Sequence, residues 1–216
     1  MAIIGMGRIG IRSIAAPPTS PTIWNTLRNY YSLNNSVTDL KGTNNGTLNG
    51  AVYSSDSVFF DGINDFVSFT YQTGLSVPNF TLNYWVKLSS SHQGVTLDFD
   101  YFTDGYSAAW SGSIIQTKFT PMGFLQTASL NLNQWYMISY TQNQTEAKLY
   151  LDGVLIQTVA TNTPYLLRTS TQNLGKLGSL GYFFNGYLKK YAYFTSYLNQ
   201  SDINTLYDGG NGLIYS

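Results

Sequence analysis

The sequence predicts an all-β protein in which two antiparallel sheets pack face to face. From residue 22 to residue 208, short stretches of alternating apolar and polar residues are separated by Gly, Asn, Asp and Ser, which is typical of antiparallel strands joined by turns. The pair Asp152-Gly153 between two such stretches indicates a two-residue hairpin loop. The 216 residues include no cysteine, so packing alone must stabilise what we expect to be one large domain.

Strands are expected wherever side chains alternate over several residues. The clearest is 80–88, where every second residue from position 80 onward would face the core. A turn rich in Asp, Gly and Asn at 61–65 separates two aromatic stretches. In chain order, the predicted strands are 57–60, 66–69, 80–88, 135–141, 147–151, 154–156 and 187–194.

One short helix is predicted near the C-terminus, over residues 199–207. Asn199 can cap its first turn, and Asp202, three residues later, completes a capping box. Glycines at 209 and 210 are expected to end the helix, because glycine readily adopts the left-handed conformation that follows many helices.

Residues 1–22 differ from the rest of the chain and predict an extended N-terminal arm. Glycines at 5, 7 and 10 and prolines at 17, 18 and 21 disfavour a helix. A signal peptide is the alternative, although glycines and arginines interrupt the apolar stretch that it requires. Ordering such an apolar segment costs conformational entropy, so we expect it to lie against another subunit. Its candidate interface residues are Ile3, Ile4, Met6, Arg8, Ile9, Ile11, Arg12 and Ile14.

The composition disfavours several classes of function. Lys and Arg number 11, as do Asp and Glu, so no net charge draws the chain to nucleic acid or to an anionic membrane. No apolar stretch is long enough to cross a bilayer. The sole histidine, His92, and the sole glutamate, Glu146, leave no evident zinc cluster or acid–base pair. We therefore expect a protein that is not an enzyme.

Five motifs occur in an order that is typical of one fold family. They are an opening turn at 39–48, a hairpin at 60–67, a core strand at 80–86, Trp135-Tyr136 followed by a hairpin at 148–154, and a closing strand and helix at 185–207. Together they resemble the laminin-G-like, concanavalin A-like lectin jelly roll found in many bacterial and viral proteins. The resemblance implies a two-sheet antiparallel jelly-roll domain at 23–209, between the arm at 1–22 and a tail at 210–216. It also implies binding of carbohydrate or protein rather than catalysis.

The resemblance raises the question of calcium at Asp61 and Asp65. Relatives usually place acidic residues in the closing strand, where this chain has Lys189 and Lys190. Calcium requires several oxygen ligands, and two nearby lysines would repel it. Turn formation alone explains the two aspartates, so we expect no cofactor and keep calcium as the weaker alternative.

A sugar-binding surface is predicted in the stretch 95–123, which fits the family pattern least well. Aromatic rings there could contact the C–H face of a sugar while polar groups bind its hydroxyls. The candidates are Asp98, Asp100, Tyr101, Asp104, Tyr106 and Trp110. The alternative is that the aromatic residues complete the core and the aspartates solubilise an exposed turn.

The closing strand predicts a second surface, for contact with protein. Strict alternation would place four residues on one side, where tyrosines beside lysine suit an interface. These are Tyr187, Lys189, Tyr191 and Tyr193. Packing beneath a loop is an equally good interpretation.

These features favour a non-enzymatic bacteriophage virion protein, either a capsid decoration, head-fibre or tail-associated protein. Its arm would hold it to other virion subunits, and its outward domain would bind host-surface carbohydrate weakly in each of many copies. The apolar arm, low charge, absent cysteine and missing secretion signal are the reasons. Neither nucleic acid nor membrane insertion is expected. The alternatives are a free bacterial carbohydrate-binding module, secreted or at the cell surface, and a purely architectural assembly subunit.

Overall fold

The computed structural model describes most of the chain from residue 22 onward. The described stretches are 22–70, 77–91, 94–99, 106–119, 123–161, 172–178 and 180–215. Residues 1–21 of the N-terminal arm, with its candidate interface residues, and His92 lie outside them. None of the helices within these stretches is long and apolar enough to cross a bilayer.

The first of two large antiparallel sheets has eight strands in the described chain. Across the sheet they are β13 (Val154–Ala160), β12 (Glu146–Leu151), β11 (Trp135–Gln142), β6 (Phe80–Leu88), β17 (Asn185–Phe194), β4 (Ser57–Asp61) and β3 (Val52–Ser54), with β1 (Leu27–Tyr31) also paired to β17. Six of the seven predicted strands are found in this sheet.

The second sheet has seven strands in the described chain. Across the sheet they are β10 (Gly123–Gln126), β9 (Ile114–Phe119), β8 (Tyr106–Ser111), β7 (Gly94–Phe99), β14 (Gln172–Leu174), β5 (Phe66–Phe69) and β2 (Gly46–Asn49). A small hairpin of β15 (Lys176–Leu177) and β16 (Leu180–Phe183) packs against β7. The predicted strand at 66–69 belongs to this sheet.

The main core lies between the two sheets. Phe80, Leu82, Tyr84, Val86 and Leu88 are at most 2% exposed and form one face of β6, as the alternation predicts. They join apolar residues of the second sheet in one cluster. Burial of such side chains, at about 25 cal/mol per Å² of apolar surface, is the main source of stability. The predicted all-β sandwich is confirmed.

The outer face of the first sheet is also covered over much of its area. A 3₁₀ turn at Thr22–Thr26 and helix α1 (Gln200–Tyr207) pack there in a second apolar cluster, and an exposed 3₁₀ turn at Asp208–Gly210 follows α1. Trp24 stacks on Phe194 with ring centroids 6.0 Å apart. Both ends of the described chain therefore meet on one face of the sandwich.

Helix α1 begins as the sequence predicts. The side chain of Asn199 accepts hydrogen bonds from the amides of Ser201 and Asp202, and the Asp202 carboxylate accepts one from the Asn199 amide. The helix ends at Tyr207, as predicted, but Asp208 rather than a glycine adopts the left-handed conformation that follows it.

The residues after α1 do not form a separate tail. The Leu213 amide donates to the Leu206 carbonyl at 2.9 Å, and the Tyr215 ring packs edge-on against Trp24 at 5.5 Å. The described part of the predicted tail at 210–216 therefore belongs to the packed domain. An outside partner is not needed to bury Leu213 or Tyr215, whereas Ile214 is 58% exposed.

The closing strand β17 contains a bulge that changes which residues share a face. Lys190 has a φ of 52°, and the pairing with β6 shifts at this point. Tyr187 and Lys189 stay on the outer side, but Tyr191 and Tyr193 turn into the core, where they are 3% and 1% exposed. Burial raises the pKa of both buried phenols. The predicted four-residue interface is wrong for these two tyrosines, because strict alternation does not continue through a bulge.

Candidate functional site

One row of side chains on the outer face of the first sheet remains half-buried rather than covered. The strand register places Trp135 of β11 opposite Lys87 of β6, and Lys87 opposite Tyr187 of β17. Tyr187 in turn lies opposite Phe59 of β4, and Lys189 follows two residues along β17. Residues directly opposite one another in antiparallel strands are close neighbours. We call these five residues the aromatic–lysine patch.

Tyr187 contacts both of the other rings of the patch. The centroids of Trp135 and Tyr187 lie 6.4 Å apart at an interplanar angle of 62°, an edge-to-face arrangement. Phe59 approaches Tyr187 with centroids 4.8 Å apart. Aromatic pairs at such distances are favourable and restrict each other's orientation. The rings therefore form one connected apolar surface across the sheet.

Two lysine ammonium groups lie over these rings. The Nζ atom of Lys87 is 3.9 Å from the ring centroid of Tyr187 and 5.2 Å from that of Trp135. The Nζ atom of Lys189 is 4.3 Å from the Trp135 centroid and 2.7 Å from Oδ2 of Asp56. Cation–π contacts of this kind are worth about 0.5–1 kcal/mol at exposed sites and up to about 2 kcal/mol when desolvated.

Asp56 balances one of these two charges. Burial alone would raise the pKa of its carboxyl group, but the hydrogen bond and charge of Lys189 outweigh burial and hold the pKa below its usual value. The Asp56 side chain is 52% exposed, so solvent screens the ion pair and its contribution to stability is small. In the described chain, no carboxylate forms an ion pair with Lys87.

The part of the same face next to the patch is closed. Trp85, which precedes Lys87 by two residues on β6, is 5% exposed and stacks on Tyr207 of α1. The Nζ atom of Lys190 donates to the Gly212 carbonyl at 2.8 Å and so holds the chain after α1 over this tryptophan. Trp135 lies at the rim of the covered cluster and is only half-buried. The patch therefore begins where the cover ends.

Sequence reasoning identified two residues of the patch, Tyr187 and Lys189. It did not propose Trp135, Lys87 or Phe59 as site residues, although each lies in a predicted strand. The alternation of β6 does assign Lys87 to the outer face. The row itself, however, combines residues from four strands, and only the register of their pairing brings these residues together.

The predicted sugar-binding residue Asp98 is not accessible to a ligand. It lies in β7, is 0% exposed, and its Oδ2 atom accepts a hydrogen bond from the Gly178 amide at 2.9 Å. Gly178 belongs to the turn of the small hairpin that packs against β7. Asp98 therefore anchors this hairpin, and its prediction as a ligand contact is wrong because a polar residue buried with a partner serves the fold.

The other residues predicted in this stretch lie outside the described structure or show only their backbone. Asp100, Tyr101 and Asp104 fall between the described parts of β7 and β8. Tyr106 and Trp110 belong to β8, but their side chains are not among those described. Sugar binding by these five residues remains a prediction.

The turn between β4 and β5 uses its aspartates to hold its own backbone. Oδ1 of Asp61 accepts from the Ile63 amide at 2.7 Å, and Oδ2 of Asp65 accepts from the Asp61 amide at 2.9 Å. Asn185, and neither lysine of β17, lies opposite Asp61. Burial raises the pKa of Asp65. Among the described residues, no group of three or more His, Cys, Asp or Glu side chains could hold a metal ion, and calcium at this turn stays the weaker of the two predictions.

The sole glutamate is held as a carboxylate. Oε1 of Glu146 accepts hydrogen bonds from Lys148 Nζ at 2.6 Å and from the Tyr197 hydroxyl at 2.8 Å. The hydrogen bond from Lys148, and after it the one from Tyr197, lowers the pKa of Glu146. A general acid at neutral pH needs a raised pKa instead. The cluster of Glu146, Lys148 and Tyr197 instead joins β12 to the segment before α1.

The two stacked antiparallel sheets and the closing helix define a lectin-like jelly-roll domain. Residues 37–204 match the family described as the concanavalin A-like lectin/glucanases superfamily, and the chain belongs to this family. A comparison with curated proteins gives no match.

Solved structures with the same fold include parts of botulinum neurotoxins. The serotype D ligand-binding domain in complex with N-acetylneuraminic acid superposes with a TM-score of 0.73 at 16% identity, covering 87% of this chain and 52% of that chain. The receptor-binding domain of the C/D mosaic serotype gives a TM-score of 0.70 at 16% identity, covering 86% and 52%. This chain spans about half the length of these domains, and the likeness shows the fold alone.

Proposed function

We propose that this chain is a non-enzymatic, lectin-like domain that binds carbohydrate through the aromatic–lysine patch. One observation carries the proposal. Rings and lysines from four neighbouring strands form a half-buried row on the outer face of the first sheet, next to the part of that face that is covered. A sugar ring has an apolar C–H face that packs on aromatic rings and hydroxyls that accept hydrogen bonds from ammonium groups. The patch offers both kinds of contact.

The ring of Trp135 is the main contact for a pyranose in this proposal. Its packing against the covered cluster and its contact with Tyr187 fix its orientation, so little side-chain entropy is lost on binding. The ammonium groups of Lys87 and Lys189 rest on the rings through weak contacts and long flexible stems. They can move aside and donate hydrogen bonds to sugar hydroxyls.

The proposal includes no catalysis, although the family description also covers glucanases. Glycoside hydrolysis normally needs two carboxyl groups on either side of the scissile bond, one of them with a raised pKa. Glu146 has a lowered pKa and two internal partners. Asp56, the carboxylate at the patch, also has a lowered pKa. Both features support a binding role.

Replacing Trp135 by alanine is expected to weaken glycan binding at least about 10-fold, equivalent to about 1.4 kcal/mol, because the main stacking surface is lost. A glycan array identifies ligands, and calorimetric titration measures their affinity. Tyr182→Ala is the matched control, since Tyr182 is an aromatic residue that is 45% exposed on β16, outside the patch. An array without any ligand, or wild-type affinity in Trp135→Ala, would show that the proposal is wrong.

The stretch 95–123 is a second possible place for sugar binding within the same function. Its remaining candidates are Asp100, Tyr101, Asp104, Tyr106 and Trp110. The support is their composition, in which aromatic rings and carboxylates occur together. Loss of binding in Trp110→Ala but not in Trp135→Ala would place the site there.

We further infer that the domain is displayed on a bacteriophage particle, as a decoration, head-fibre or tail-associated protein held by residues 1–22. The apolar arm, low charge and absent cysteine support this placement. The root of the arm adds support: Trp24 stacks on Phe194, and Thr26 Oγ1 shares a 2.6 Å hydrogen bond with Ser196 Oγ. A force that pulls on the arm would therefore be transmitted through these contacts to the first sheet. A free bacterial module and an architectural subunit remain the alternatives.

Deletion of residues 1–20 is expected to prevent incorporation into particles while the domain stays folded, because the described elements begin at residue 22. Immunoblotting of purified particles measures incorporation, and thermal unfolding of the purified protein measures the fold. Undiminished incorporation of the truncated protein would remove the arm from the anchoring role.

A further inference from the structure

Lysine side chains crowd the end of the outer face that holds the patch. The Nζ atoms of Lys189 and Lys87 lie 4.3 Å and 5.2 Å from the ring centroid of Trp135. Lys190 follows directly on β17, and burial, together with the charge of Lys189, lowers its pKa. Like charges placed this close destabilise one another unless an anion lies between them.

In the described structure, Asp56 offsets the charges of Lys189 and Lys190, and Asp208 offsets that of Lys190. Asp56 forms its ion pair with Lys189, whereas the Lys87 ammonium lies over the rings of Tyr187 and Trp135. An anionic ligand could therefore pair with Lys87 without breaking an internal ion pair. The chain as a whole has no net charge, so the excess of positive charge is local to the patch.

We propose that the patch selects sugars that carry a negative group, a carboxylate or a sulfate, and that Lys87 pairs with this group. The proposal rests on the proposed function and specifies its ligand class. The sugar ring lies on Trp135, and Nζ of Lys87 moves from the face of Tyr187 to the anionic substituent. A charge-assisted hydrogen bond is stronger than the cation–π contact that it replaces. Lys189 moves off the face of Trp135 when the sugar binds and keeps its ion pair with Asp56 at the border of the site.

The distance between the ring and the lysine suits a substituent on the same sugar. Nζ of Lys87 lies 5.2 Å from the Trp135 centroid, so a pyranose stacked on this ring brings a carboxylate or sulfate on its own ring within reach of the ammonium. We do not expect the patch to attract every polyanion, because a few local charges in a neutral chain produce little long-range electric field at physiological salt.

The test uses the full chain on an array of sialylated, uronate-containing and sulfated glycans beside their neutral counterparts. We expect acidic glycans to bind at least about 10-fold more tightly in about 50 mM salt, and the ratio to fall at about 500 mM. The preferred set identifies the anionic group. A short DNA duplex serves as a polyanion without the sugar specificity, and we expect it not to compete.

Lys87→Met removes the charge and keeps the apolar stem, so affinity for acidic glycans is expected to fall to that of the neutral counterparts, while Lys87→Arg retains the preference. Lys176→Met is the control, because Lys176 lies 4.4 Å from the Phe66 ring centroid, outside the patch. Equal binding of acidic and neutral glycans, competition by DNA, or a preference that survives Lys87→Met overturns this inference and leaves the proposed function intact. Binding of no glycan overturns both.

Discussion

Replacing Asp39 by alanine is expected to destabilise the domain by about 3–5 kcal/mol. Asp39 is 4% exposed, and its carboxylate accepts hydrogen bonds from Asn29 Nδ2 at 2.6 Å and from the amides of Tyr30, Lys41 and Asn44 at 3.1, 3.1 and 3.3 Å. Alanine would leave these donors without their acceptor, and an unsatisfied buried donor costs about 1–3 kcal/mol. Urea unfolding followed by tryptophan fluorescence measures the loss.

Asp56→Ala is the matched control for this experiment. It also removes a carboxylate, but from a side chain that is 52% exposed and part of a screened ion pair, so the expected loss is below about 1 kcal/mol. Equal effects of the two substitutions would contradict the structural role of Asp39. A loss of stability in Asp39→Ala but not in Asp56→Ala would show that the opening turn at 39–48 holds β1 to the sandwich.

Alanine at Gly186 is expected to destabilise the domain by about 3 kcal/mol or more and to remove glycan binding as well. Gly186 has a φ of 153°, and an added Cβ would clash with the Lys87 carbonyl and lie 2.7 Å from the ring of Phe184. The carbonyl belongs to β6, and Phe184 is 0% exposed, so neither can move freely. Because Tyr187 follows directly, the strain falls on the strands that form the patch.

Gly181→Ala is the control for Gly186→Ala. A Cβ at Gly181 would meet only the Phe183 ring, at an ordinary contact distance of 3.6 Å. Thermal unfolding and glycan titration of both variants measure the two effects. Wild-type stability in Gly186→Ala would mean that β6 and β17 do not approach as closely as the structure shows.

Elements that depend on neighbours in sequence were predictable. Strand β6 spans the residues that the alternation indicated, because its inward side chains all enter the core. Asp152 and Gly153 both have positive φ, at 49° and 81°, as a two-residue hairpin loop requires. The capping box at Asn199 likewise involves residues three positions apart.

Features that depend on distant residues were not predictable in the same way. The bulge at Lys190 breaks an alternation that looks regular in sequence and moves two tyrosines into the core. Asp98 was predicted to contact sugar, with an exposed turn as the alternative, but it is buried beside Gly178, which lies 80 residues away in the chain. The patch likewise requires the register of four strands, which no single stretch of sequence contains.

Contact between a sugar and Trp135 can be observed directly by NMR. Each of the four tryptophans has its own indole N–H resonance, and Trp→Phe variants assign these signals. Trp24 and Trp85 are 6% and 5% exposed beneath the covered face, so their signals should change little on titration with the best glycan. We predict that the Trp135 signal shifts in proportion to occupancy. A shift of the Trp110 signal with Trp135 unchanged would contradict the assignment of the site to the aromatic–lysine patch.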